Sequence, residues 1–386
     1  MEVGRINILC VSDIHFGEHY NSSKLYNELI QKVLYTVRDK KDELDMVIIN
    51  GDYWGTKLSL NSIDAKLGIS FINELYTVCK ENDILIRMIK GTLSHDHNQL
   101  GAFKYLEDED RFFFRIINNM ESEEIELEDT EDPVKILYVP EEYLENSKSY
   151  YDDVLKPKSW DLIFGHGTFD FTAFSSQKIL SERSLKSAPI LDSKKFNAAV
   201  KGAVIFGHIH IKDDKDDICY SGSFSRLNFG EEEPKGFYIL SYSKVSEEVE
   251  LEFIENDLAP IYHTEKLSNY FKKDTIFTEN NIKEKVLVIE QLKKKYKGHK
   301  LRIIDDTNNV SNFSSKVLKD RYGSDEDITL KLQTIEQEIV RDDTFDFILK
   351  KEYSVPETIK RFIEIKYGVK IETEEIATVL EENERI

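Results

Sequence analysis

The sequence predicts an α/β fold, on two observations. Five apolar, β-branched runs recur in the first 210 residues: INILCVSDIH (6–15), DMVIINGD (45–52), ILIRMIKGT (84–92), DLIFGHG (161–167) and AVIFGHIH (203–210). Runs of this length without polar alternation fit strands buried on both faces. Helical or loop segments separate them, and strands alternating with helices give a sheet flanked by helices.

The elements follow in order. Between the first two runs, Leu25, Leu29, Ile30, Val33 and Leu34 are spaced helically and predict a helix over about 23–40. After residue 210 the texture changes to ICYSGSF, KGFYILSY and EVELEFIE, which read as hairpins completing the core. Leu258-Ala-Pro260 marks a boundary. Beyond it, the segment 261–267, a helix near 280–297 and a strand at 300–304 predict a small α+β domain. The tail predicts two short amphipathic helices, 355–367 and 374–381. Ser354 with Glu357 forms a capping box, Ile359, Phe362 and Ile363 an apolar stripe, and Gly368 a stop. The expected domains are 1–258, 259–340 and 341–386.

Composition narrows the class. At 386 residues the chain buries a large core without disulfides or structural metal. Cys10, Cys79 and Cys219 are too widely spaced for a disulfide framework or a CxxC zinc module, so a reducing, cytoplasmic setting is expected. No apolar run is long enough to span a membrane, and the opening residues lack leader-peptide architecture. The net charge of −21 argues against general attraction to nucleic acid. The acid is concentrated in 105–132, which holds 12 acids and 2 bases, and in 371–386. The stretch 178–201 carries six bases against two acids, and 286–302 six against one; either could track a phosphate backbone or form a solvated helix face.

Every run ends in groups that bind metals: Asp13 and His15; Asp52; Ser94, His95, Asp96 and His97; His166; His208 and His210. Strand carboxyl ends converge on one crevice in open α/β sheets, so residues 200 positions apart can meet. Six of the nine histidines lie in these motifs, which scatter would not produce. In D-x-H and H-x-H on an extended chain, both side chains share a face. Glycine precedes Asp52, His166 and His208 and allows close approach. Mixed carboxylate and imidazole donors suit Mn²⁺, Fe²⁺ or Zn²⁺. Asp52, the single carboxylate between the two His-containing halves, is the natural bridge of a two-metal site.

This series (D-x-H, G-D, H-D, G-H, G-H-x-H) resembles the calcineurin-like metallophosphoesterases. Within them it looks most like the nuclease subunit of the SbcCD recombination complex and its archaeal, eukaryotic and bacteriophage counterparts. The features are S-D-I-H-F-G (12–17), the hairpin Y-S-G-S-F-S-R-L-N-F-G-E (220–231) with K-G-F (235–237), and the long extension after the core. The resemblance covers 6–240 by motif and the remainder by layout. It implies a four-layer sandwich, helices flanking two mixed sheets, with a cap domain and a helical partner-binding tail. It also implies that Asp13, His15, Asp52 and His210 hold one metal, and that Asp52, His166 and His208 hold a second. His95 would be the catalytic histidine that is not a ligand. The family's Asn ligand is missing from Gly91-T-L-S-H-D-His97. Ser94 is expected in its place, with Asn98 or a water as alternatives.

The resemblance further implies a metal-dependent DNA nuclease, exonuclease on duplex ends and endonuclease on single strands, acting in recombination or repair with two Mn²⁺ ions. A water activated between the metals would attack phosphorus in line. His95 would donate to a phosphate oxygen or the leaving O3′, with Asp96 orienting it and His97 as fallback acid. Arg226 and Lys235 are candidate phosphate contacts, and the acidic stretch is expected away from the DNA. The expected partners are DNA, an SbcC-type coiled-coil ATPase docked by the tail helices, and a second copy in a homodimer, with no membrane. No GxxxxGK[ST] motif is present, so the ATPase would be a separate chain. The alternatives are a phosphatase or cyclic-nucleotide phosphodiesterase on the same metal core, and a catalytically weak structural subunit of the ATPase complex.

Overall fold

The structure, a computed structural model, describes residues 4–18, 21–128, 130–143, 150–172, 190–231, 233–271, 282–307, 312–325, 327–332, 360 and 372–376. It divides into two compact units, Met1–His263 with Gly298–Lys300, and Thr264–Lys297 with Leu301–Ile386.

The first unit is α/β and holds two six-stranded mixed sheets. In the first sheet β1 (Arg5–Val11), β2 (Met46–Asn50), β3 (Leu85–Ile89) and β4 (Phe114–Ile117) run parallel. The second is built around β6 (Val134–Val139), β7 (Trp160–His166), β10 (Val200–Gly207) and β12 (Ile218–Tyr220), also parallel. Antiparallel strands complete both: β5 (Glu121–Ile125) on β6, β11 (Asp213–Lys215) on β12, β13 (Gly236–Ser243) on β1 and β14 (Val249–Glu255) on β13. A short parallel pair, β8 (Thr168–Phe169) with β9 (Ile190–Leu191), stands apart. Two mixed sheets flanked by helices agree with the expected layering. The first three runs form β1–β3, and the last two form β7 and β10.

Period-two alternation explains the stacking. On β1–β3, Ile8, Cys10, Met46, Ile48 and Ile89 face the other sheet and meet Ile136, Tyr138, Leu162, Phe164 and Ile205. Their neighbours Leu9, Val11, Val47, Ile49, Ile86 and Met88 face helices. Beyond the second sheet, Phe196 and Ala199 of the helix Ser193–Ala199 pack on Ile163, Val204 and Phe206. The layers are helix, sheet, sheet, helix. Both faces of each sheet are covered, which is why the runs are apolar throughout rather than alternating.

The predicted 23–40 helix forms as α1 (Ser22–Leu29), a π-turn over Ile30–Leu34 and α2 (Tyr35–Asp39). Asn21 caps it, accepting from the amides of Ser23 and Lys24. The long α3 (Ile63–Glu81), capped by Ser62, escaped the sequence reading, although Ala65, Phe71, Ile72, Leu75, Tyr76 and Cys79 are buried at helical spacing. The acidic stretch supplies edge strand β5, where Glu123 accepts from the buried Arg87 at 2.6 and 2.7 Å.

The second unit carries a three-stranded sheet of β15 (Tyr262–Lys266), β16 (Lys300–Asp305) and β17 (Ile328–Leu332), with helices Ile282–Lys295 and Asn312–Tyr322. Leu267, Ile289, Leu292, Leu301, Ile303, Leu318, Tyr322 and Ile328 form its core. The Lys-rich run is partly paired within its unit, Lys293 with Asp325 and Lys295 with Glu265. The predicted tail helix 355–367 lies outside the described residues apart from Lys360, as does 374–381 beyond residue 376. Among the described residues no helix is long and apolar enough to cross a membrane.

Candidate metal centre

The carboxyl ends of β1, β2, β3, β7 and β10 bring the predicted residues together although they come from two sheets. Asp13, His15 and His210 form one group of metal donors, Asp52, His166 and His208 another, and His15, Asp52 and His95 a third between them. Asp13, His15, Asp52 and His166 are buried. In the first group His15 Nε2 lies 3.2 Å from His210 Nε2 and 3.9 Å from Asp13 Oδ1. In the second His166 Nε2 lies 3.2 Å from Asp52 Oδ2. The same Asp52 oxygen is 3.9 Å from His15 Nε2, so one carboxylate faces both groups.

The backbone is bent to achieve this. Asp13, His15, Asp52 and His208 have φ of 52°, 57°, 49° and 97°. Non-glycine residues rarely adopt such angles, and they gather where geometry serves a site. Close approach demands glycine nearby: at Gly91 a Cβ would run into the amide and carboxylate of Asp52. Gly91→Ala is therefore expected to move Asp52 and weaken metal uptake more than about tenfold. It should also destabilise the fold by about 1–3 kcal/mol. Metal titration with thermal melts of both proteins checks this, and unchanged metal affinity would count against it.

A donor set fits a metal when each imidazole's other nitrogen is held and the free nitrogens converge. His166 Nδ1 is 2.8 Å from the Asn50 carbonyl. His15 Nδ1 faces Glu18 Oε2 at 2.8 Å, and His210 Nδ1 faces Glu231 Oε1 at 3.8 Å. His15 and His166 thereby turn Nε2 inward, and these buried Asp and His groups can bind metal.

Electrostatics agree. Burial opposes charge on His15, but Asp13 and Glu18 outweigh it and lift the imidazole to about 10. Burial likewise opposes charge on His166, and Asp52 outweighs it, again to about 10. Burial pushes the Asp52 carboxyl up, yet His166, His15 and His95 hold it well below the usual carboxylate range. Without metal, the cations stand in for the ion. The raised histidines stabilise the metal-free fold fully below their ordinary 6.5, and this is lost as pH rises towards 10. The lowered Asp52 stabilises it above its ordinary 3.8, and this is lost at lower pH. Metal must displace the histidine protons. The melting-temperature gap between metal-loaded and metal-free protein should therefore widen between pH 6.5 and 9. A gap constant with pH would contradict these protonation states.

Several expectations are corrected. Ser94 lies exposed on the helical turn Leu93–Asp96. Thr92 occupies the space instead. Its Oγ1 lies 3.3 Å from Asp52 Oδ2, 3.3 Å from His166 Nε2, 3.2 Å from His208 Nδ1 and 3.3 Å from Glu141 Oε2. Asp96 does not orient His95. It is buried, accepts from the amides of Trp54 (3.0 Å) and Gly91 (2.7 Å), and so braces the loops after β2 and β3. Burial and the charge of Asp52 raise its carboxyl to about 7. His95 is oriented by the Gly55 carbonyl, 2.8 Å from Nδ1. His97 closes the same turn at φ 47° and joins none of the donor groups.

Arg226 and Lys235 also turn inward. Arg226 donates to the carbonyls of Glu231, Glu233 and Ala259. Lys235, 1% exposed, donates to the His210 carbonyl at 2.6 Å and to Ser223 Oγ at 3.0 Å, and pairs with Glu231 at 2.8 Å. Both brace the hairpin behind His210 rather than offering donors to a phosphate. Glu231 gains from this: burial raises its carboxyl, but His210 and Lys235 outweigh it and hold it at about 2.

Thr92, Glu141, Glu18 and Glu231 were missed in the sequence. Glu141 carried a signal, since VKILYV before it is another apolar run ending in a polar group. Pro140 and the acidic stretch upstream obscured it.

No family's sequence model matches the chain, and no curated protein matches it. One solved crystal structure aligns over 64% of this chain and 99% of its own at 11% identity, with a TM-score of 0.35, a likeness too weak to bear on fold or activity.

Proposed function

We propose that the protein is a metallophosphoesterase that cleaves DNA, with two divalent ions, Mn²⁺ by preference, held at either side of Asp52. The observation that carries this reading is the Asp52 Oδ2 atom, 3.2 Å from His166 Nε2 and 3.9 Å from His15 Nε2, between two groups of buried and half-buried donors. Two bound ions would clamp a phosphate and acidify a water shared between them. The chain's own groups do the rest. Glu18 and the Asn50 carbonyl fix the ligand imidazoles. The Gly55 carbonyl fixes His95 and leaves its Nε2 to donate to a phosphate oxygen or the leaving O3′.

The ligand series, S-D-I-H-F-G at 12–17 and the hairpin at 220–237 support DNA as substrate through their resemblance to the SbcCD-type nuclease subunits. The same resemblance supports exonuclease action on duplex ends, endonuclease action on single strands, a coiled-coil ATPase partner and a homodimer. With Arg226 and Lys235 committed to the hairpin, the phosphate backbone is left to other residues.

The test is Mn²⁺-dependent cleavage of end-labelled duplex and single-stranded DNA, beside hydrolysis of p-nitrophenyl phosphate. DNA cleavage with slow monoester turnover is expected. Fast monoester turnover with intact DNA would move the reading to a phosphatase. Metal-loaded protein inert on both, even with its ATPase, would make it a structural subunit.

A further inference from the structure

The surroundings of the Thr92 hydroxyl do not form an ordinary hydrogen-bond network. A hydroxyl has one hydrogen to donate, and O–H···O bonds centre on about 2.7–2.8 Å. Thr92 Oγ1 has four neighbours on four segments, Asp52 Oδ2, His166 Nε2, His208 Nδ1 and Glu141 Oε2, all at 3.2–3.3 Å. Neighbouring pairs among these four repeat the spacing, with Asp52 Oδ2 to His166 Nε2 at 3.2 Å and His208 Nδ1 to Glu141 Oε2 at 3.3 Å. Adjacent donors around one ion with bonds of about 2.1 Å stand about 3 Å apart. Six of the ten separations among the five atoms, four from Thr92 and one in each of these two pairs, are therefore those of adjacent ligands.

Glu141 is placed for this. It is 3% exposed, and a buried carboxylate needs a compensating charge. Tyr143 donates its hydroxyl to Oε1 at 2.8 Å, leaving Oε2 for the shell. The Glu141 amide donates to the Lys90 carbonyl at 3.3 Å, tying the loop after β6 to the end of β3, two residues before Thr92. Thr92 is fixed in turn by its amide, which donates to Asp52 Oδ1 at 2.6 Å.

We propose that Thr92 and Glu141 complete the ligand set of the ion held by Asp52, His166 and His208. This rests on the two-ion reading above and departs from the ligand set expected from sequence, replacing Ser94 with a hydroxyl and a second carboxylate. Two carboxylates, two imidazoles and a hydroxyl favour Mn²⁺ or Fe²⁺, which accept five or six ligands with hard oxygens, over Zn²⁺ in its four-ligand preference.

The test is calorimetric titration of metal-free protein with Mn²⁺, alongside the electron paramagnetic resonance spectrum of the bound ions. Wild type is expected to take up two ions with spin-coupled spectra. Glu141→Gln and Thr92→Val are each expected to weaken the second ion at least about tenfold and remove the coupling at limiting metal. Ser94→Ala should leave both unchanged. Metal-free melting temperatures show whether the variants fold; should Glu141→Gln not fold, Thr92→Val decides, since its amide keeps the bond to Asp52. Unchanged uptake in a folded Glu141→Gln and in Thr92→Val overturns the proposal, as does wild type holding one ion. DNA cleavage is scored separately. Weakened uptake in the variants of a wild type that cuts no DNA upholds these ligands and removes the nuclease reading.

Discussion

Asp52→Asn is expected to abolish cleavage, with a loss of at least about 10³-fold in kcat/KM, and to reduce bound Mn²⁺ from two ions to one or none. The size follows from the position of the carboxylate. One oxygen faces His15 Nε2 and His166 Nε2. An amide keeps the shape and still accepts from the Thr92 amide, but it brings no charge to either ion. An ion's electrostatic contribution to a phosphoryl transition state is several kcal/mol, and each 1.36 kcal/mol is tenfold in rate. The variant also removes the anion that lifts the His166 imidazole, so in metal-free protein that group should titrate well below its present value of about 10. NMR of the ring protons checks this independently of activity. Retained cleavage with two bound ions would remove Asp52 from the bridging role.

His95→Ala is expected to lower kcat by about 10²–10⁴-fold while two Mn²⁺ ions still bind, the range for loss of a positioned general acid. His95 belongs to a possible donor group with His15 and Asp52, so a ligand role is the competing assignment. Two observations orient the ring, and ion uptake separates the roles. The Gly55 carbonyl holds Nδ1 at 2.8 Å, and the rings of His95 and His15 meet edge to face at 4.7 Å between centroids. That fixes one orientation, with Nε2 the nitrogen left for chemistry. If His95 is a donor to substrate, the variant keeps both ions and loses rate. If it is a ligand, ion uptake falls with the rate.

Asp13, His15, Asp52, His166, His208 and His210 were readable because each ends an apolar run, and strand ends are where such chains gather ligands. The apolar runs do not say which of the two sheets each strand joins, since a run buried on both faces looks the same in either. Helix α3 was missed because its apolar residues sit among Asp64, Lys66, Glu74 and Lys80, which mute the pattern. Ser94 was chosen by its adjacency to His95. The structure puts residues 93–96 into a helical turn, which carries Ser94 outward and leaves Thr92, next to Gly91, against Asp52, His166 and His208. Arg226 and Lys235 looked like phosphate contacts because a cation near a ligand motif does. Three carbonyls claim the first, and a carbonyl, a hydroxyl and Glu231 claim the second.

The most direct measurement is anomalous diffraction at the manganese edge from crystals grown with Mn²⁺. Two peaks are expected about 3.5–4 Å apart, with Asp52 touching both. Asp13, His15 and His210 should surround one peak, and Thr92, Glu141, His166 and His208 the other. A single peak, or two peaks that do not share Asp52, would contradict the two-ion centre.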